Sequence, residues 1–198
     1  MMDRTSHTFR NIILLNVLVY FVTMILGRDT FGVNINNNIA AFRYLGVNRH
    51  LVLNSHEYWR ILTYGFAHGS LMHLGFNMYA LYSLSGPIIR FANEKFALVV
   101  YFVSMIVAGI ASVVLTNSLA VGASGAIYGF FGVILYYAYR EYKIGNTQMI
   151  KSLMPVIVIN LVITMMPGIS MVGHGAGLIT GFIIAWVYER KIKRRYLR

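Results

Sequence analysis

The sequence predicts an all-α, polytopic membrane protein, a bundle of six transmembrane helices, and three observations carry that expectation. Hydrophobic residues make up 58% of the 198 residues and charged residues only 12%, about half the charge of an average soluble domain. A bilayer core takes about 20 apolar residues per helix, and apolar stretches run at roughly 11–27, 71–90, 96–116, 121–139, 149–166 and 172–189. The basic residues collect beside alternate stretches: Arg4 and Arg10, then Arg90 and Lys95, then Arg140, Lys143 and Lys151, and finally Arg190, Lys191, Lys193, Arg194, Arg195 and Arg198. The remaining four, Arg28, Arg43, Arg49 and Arg60, share one long connection. The positive-inside rule then places both termini in the cytoplasm of a multi-pass cell-membrane protein. Residues 1–198 read as a single membrane domain.

The first stretch follows basic residues as a signal peptide does, but Gly27-Arg28-Asp29 lacks the small-residue pattern of a cleavage site, so an uncleaved helix is expected. The connection 28–70 is the one loop long enough to hold structure, and it lies outside the cytoplasm. It is rich in asparagine at Asn34, Asn36, Asn37 and Asn38, and its segment Ser55 to Arg60 mixes aromatic and charged groups. Trp59 and Arg60 there read as anchors in the headgroup layer. Helices two, four and six start at the outer face. Helix two opens with His73 and Asn77, helix four with Ser124 and helix six with His174. At 1.5 Å per residue these groups lie about 5–9 Å into their helices and share one layer of the outer leaflet. The basic C-terminal tail suits anionic lipid headgroups, so membrane lipids rather than nucleic acid are the expected partner.

An unsatisfied polar group in hydrocarbon costs several kcal/mol, which makes each intramembrane histidine a candidate for function. Ser124 alone says less, because membrane serines bond back to their own helix, as Ser83, Ser104 and Ser112 are free to do. Asn77 alone could serve only to join helices. The glycine pairs Gly125/Gly129 and Gly177/Gly181 strengthen the case, since small-xxx-small faces let two helix backbones approach closely. If they face each other, Ser124 and His174 come within hydrogen-bonding reach. Gly132 reads as packing only. Tyr128 lies one turn after Ser124, where it can stack on an imidazole or simply fill the core.

With no cysteine in the chain, and with none of the acids Asp3, Asp29, Glu57, Glu94, Glu141 and Glu189 inside an expected span, a thiol nucleophile and a carboxylate pair are both disfavoured. What remains is a Ser-His dyad, in which histidine takes the serine proton as general base. The oxyanion that follows needs preorganised donors, available from the Ser124 backbone N–H, the Asn77 amide and the His73 ring. Two other readings stay open: a client-binding protein without catalysis, and a transporter with zinc on His68, His73 and His174. Otherwise His68 is expected to brace the first loop or helix two through a hydrogen bond.

Over nearly its whole length the chain resembles the rhomboid family of intramembrane serine proteases. The matching stretches are Trp59-Arg60, HGSLMHLGFN at 68–77, GASGAIYG at 122–129 and HGAGLITG at 174–181. The resemblance implies Ser124 as nucleophile, His174 as base, His73 and Asn77 as oxyanion donors, and support from Tyr128, Gly122 and Gly125. It also implies hydrolysis of single-span transmembrane protein substrates without metal or cofactor, and a first loop half-sunk in the membrane. Met165 to Met171 looks like a mobile flap over the site. Family members often carry a glutamate near the cytoplasmic end of helix two. Here Gly86-Pro87-Ile88-Ile89-Arg90 stands instead, a change expected to alter a contact far from the chemistry.

Overall fold

The computed structural model describes residues 6–31, 37–152, 155, 159 and 170–196. Its helices are α1 (His7–Phe31), α2 (Ile39–Leu45), α3 (Arg49–Leu53), α4 (Arg60–Thr63), a 3-10 turn at Tyr64–Phe66, α5 (Leu71–Phe91), α6 (Glu94–Leu115), α7 (Ser124–Lys143) and α8 (Met171–Tyr196). Among the described residues three segments are long and apolar enough to cross a bilayer: His7–Arg28, Glu94–Leu115 and Met171–Lys191. The expected span 149–166 begins as helix through residue 152, and all but residues 155 and 159 of the rest lies outside the described residues. The tail residues Arg4 and Arg198 and the asparagines Asn34 and Asn36 lie outside them as well.

Caps set the helix starts. Ser70 accepts the His73 N–H at 3.1 Å to open α5, and Asn93 accepts the Phe96 N–H at 2.9 Å to open α6. In the long connection Asn38 and Asn48 cap α2 and α3. Each such bond satisfies an orphan donor and is worth about 1 kcal/mol. Asn38 also donates from Nδ2 to Thr23 Oγ1 at 2.7 Å, which ties the C-terminal part of α1 to the loop.

Small residues then bring α6, α7 and α8 together. A Cβ on Gly177 would meet the Gly125 carbonyl carbon at 3.1 Å, and one on Gly181 would meet that of Gly129 at 2.6 Å. The two glycine pairs therefore face each other, as their spacing suggests, and backbone rests on backbone. Gly132 packs in the same way on Leu178 and Phe182 of α8. On the other side of α7, Gly125 sits against Ala108 and Gly129 against Ser104, both on α6. At the N-terminal end of α1, Phe9 meets Tyr101 and Phe130 at ring separations of 6.0 and 5.8 Å.

The long connection folds down onto the turn before α7. Val47 and Ala120 exchange two backbone hydrogen bonds of 2.9 Å. Asn48 Nδ2 donates to the Asn117 carbonyl at 2.9 Å. Arg60 corrects one expectation: it is only 5% exposed, and its guanidinium donates to the carbonyls of Gly46 at 2.8 Å and Arg43 at 3.0 Å and pairs with Glu57. It closes the C-terminal end of α2, where carbonyls lack helical partners, instead of anchoring in headgroups. Trp59 beside it is exposed.

Glu189 is a second correction. It ends the expected sixth span, yet α8 continues past it and the side chain is buried, bonded to the Tyr136 hydroxyl and paired with Arg140 at 2.9 Å. This acid lies 15 residues beyond His174, about 22 Å along the helix, so it belongs to the opposite end of the α7–α8 seam.

Candidate active site

Ser124 is the first residue of α7, not a residue inside it, because the chain turns at Val121 to Ala123. That turn needs glycine twice over at position 122. Gly122 has φ +123°, a conformation side chains rarely adopt, and a Cβ there would lie 2.7 Å from His73 Cε1 and Nε2. The turn is held by a 2.9 Å bond from the Gly122 N–H to the Tyr64 carbonyl, while the Tyr64 hydroxyl donates to Met105 on α6 at 2.6 Å. Starting the helix at Ser124 leaves its N–H among the donors that have no partner inside the helix.

His174 lies in the first turn of α8, 6% exposed, with Nε2 2.8 Å from Ser124 Oγ. Tyr128, one turn along α7, stacks on that imidazole at 4.0 Å between centroids and 15° between planes. Such a pair is worth about 1 kcal/mol beyond burial and fixes the ring plane. Ser124 itself is half-buried. From α5, the His73 ring edge lies against Gly122, two residues before Ser124, and the same hypothetical Cβ would stand 3.8 Å from Ser124 Oγ.

Asn77 is the expected site residue whose described bond points elsewhere. Its Nδ2 donates to the His73 carbonyl at 2.8 Å, one turn back on α5, and its Oδ1 is buried without a partner. Gly125 serves as the contact point of α7 with both Ala108 and Gly177. His68 is fully buried with its ring 5.1 Å from that of His73, edge to face. Its polar neighbour is the Phe66 backbone in the first loop, at a geometry too poor for a well-formed hydrogen bond. Among the described residues no three His, Cys, Asp or Glu side chains group to hold a metal ion.

Of the expected flap, residues 165–169 lie outside the described residues. Ser170 is described: its Oγ accepts the Gly173 N–H at 3.1 Å and caps α8. A serine just before an apolar helix is the signal that identifies such a cap. Nothing in the sequence pattern marks Tyr64 as the support of the Gly122 turn.

Residues 55–191 match the Rhomboid domain. The chain is 32% identical over 174 residues to "Rhomboid protease GluP" of Bacillus subtilis, covering 87% of this chain and 33% of that protein. It is 33% identical over 145 residues to "Putative rhomboid protease YdcA" of the same bacterium, covering 71% of this chain and 72% of the relative. Against "Rhomboid protease GlpG" of Pectobacterium atrosepticum it is 30% identical over 134 residues, 66% of this chain and 48% of the other. The chain thus spans about a third of the length of GluP and less than half of GlpG. By the domain match and the resemblance to YdcA, this helical membrane protein belongs to the rhomboid family.

Proposed function

We propose that the protein is an intramembrane serine endopeptidase, a single rhomboid domain of six spans with both termini cytoplasmic. The observation that carries this reading is the 2.8 Å approach of His174 Nε2 to Ser124 Oγ under the stacked Tyr128 ring. In the reaction, neutral His174 with its proton on Nδ1 accepts the Ser124 proton at Nε2 as Oγ attacks a peptide carbonyl. The resulting oxyanion is met by the Ser124 N–H, by the His73 ring flanking Gly122, and by Asn77 through the amide N–H that is not given to the His73 carbonyl. The imidazolium then gives its proton to the leaving amine, and water, activated by the same base, releases the acyl group. No metal or cofactor enters these steps.

The substrates are single-span transmembrane proteins, cut near the outer end of the segment, because the dyad sits at the outer ends of α7 and α8 in the topology that the basic residues favour. The test is fluorophosphonate labelling of detergent-purified protein, with the adduct located by mass spectrometry. A single adduct on Ser124, absent from Ser124→Ala and His174→Ala, is expected. Folded wild-type protein that takes no label would instead favour a rhomboid-like protein that binds membrane clients without cutting them.

A further inference from the structure

Two hydroxyls outside the dyad meet where α8 begins. Ser112, buried on α6, donates its one hydroxyl proton to the Ala108 carbonyl at 2.9 Å. Its Oγ also lies 3.3 Å from Ser170 Oγ, 58 residues along the chain. With the Ser112 proton on the Ala108 carbonyl, Ser170 is the donor in that contact. Ser170 Oγ in turn accepts the Gly173 N–H at 3.1 Å, and the Ser170 carbonyl accepts the His174 N–H at 3.0 Å. The result is a directional chain from the Gly173 N–H through Ser170 and Ser112 to the Ala108 carbonyl.

Two packing details show that the chain is built in. A Cβ on Gly173 would lie 3.0 Å from Ser170 Oγ and 3.1 Å from Ser112 Oγ, so the hydroxyls meet over a glycine where a methyl group would be tight. The chain also ends at Ala108, the residue against which Gly125 packs beside Ser124. One turn of α6, Ala108 to Ser112, therefore touches the helix of each dyad member.

We infer that Ser170 and Ser112 are positioning residues, whose hydroxyl relay fixes the first turn of α8 against α6 and thereby sets the reach of His174 to Ser124. This inference rests on the dyad reading above. Neither serine touches the reacting atoms, and a helix cap alone would not require a partner on α6. A displacement of about 1 Å in a reacting pair can cost up to about a hundredfold in rate, so modest loosening is readable.

The experiment pairs labelling with amide hydrogen exchange in the full chain. Ser112→Ala and Ser170→Ala are each expected to slow fluorophosphonate labelling of Ser124 about tenfold, and the double variant no further, because both remove one relay. Ser170→Thr keeps the hydroxyl and restores the rate. Ser112→Ala, a change on α6, is expected to raise exchange at the Gly173 and His174 amides on α8. Unchanged exchange at those amides overturns the relay whatever the labelling rate, and so do multiplicative losses in the double variant. Raised exchange in a protein whose wild type takes no label supports the relay and counts against the dyad reading alone.

Discussion

Where α7 meets α8, main chain lies on main chain; where α5 borders the same site, side chains fill the gap or face outward. Gly177 and Gly181 rest on the carbonyls of Gly125 and Gly129, with no room for a methyl group. Gly75 on α5 has nothing within 4 Å of a would-be Cβ, and its neighbours Met72, Phe76 and Tyr79 are 68%, 68% and 72% exposed. Without hydrophobic expulsion to drive them together, membrane helices associate through close van der Waals packing. The seam that carries Ser124 and His174 uses that contact fully. The helix that carries His73 and Asn77 does not. The proposed reacting pair is thus set by backbone contacts that adjust little, and the proposed oxyanion donors by more adjustable ones.

The comparison breaks most directly at Gly181. Gly181→Val should destabilise the protein by about 3 kcal/mol or more, since the new side chain enters the Gly129 backbone; an unchanged thermal midpoint in detergent would contradict the contact. Gly122→Ala comes next, where the turn of α7 meets His73 of α5. Its φ of +123° predicts a loss of about 2 kcal/mol, and displacement of the His73 ring predicts slower Ser124 labelling on top of that. Tyr128→Ala should leave the seam folded but remove about 1 kcal/mol of stacking on His174, read as about fivefold slower labelling; an unaltered rate would mean that the α8 backbone alone orients the imidazole. The smallest effect is a gain. Gly75→Ala should stabilise by about 0.5 kcal/mol, because a free helix surface rewards alanine over glycine, and a loss in the same melt would reveal packing on α5 that the exposures do not suggest.

The contrast also explains what the sequence disclosed. Glycines at i and i+4 on two helices have one economical use in a membrane, so Gly125/Gly129 against Gly177/Gly181 could be anticipated, and the approach of His174 to Ser124 followed from it. Arg60 could not be placed that way. A cation in a polar loop reads as solvated, and its partners are carbonyls 14 and 17 residues earlier, which leave no mark in side-chain pattern. Glu189 was hidden for a similar reason, since burial at a helix end depends on Tyr136 and Arg140 of another helix. The relay of Ser112 and Ser170 combines a legible cap with an illegible contact across 58 residues.

The two-bond bridge between Val47 and Ala120, with the Tyr64 carbonyl holding Gly122, has a consequence for how such proteins can be recombined. The connection after α1 and the turn that presents Ser124 are distant in sequence but form one mechanical part. A chimera that exchanges residues 37–70 with a relative must carry the partner's 116–123 along, or the graft will seat its serine on a foreign foundation.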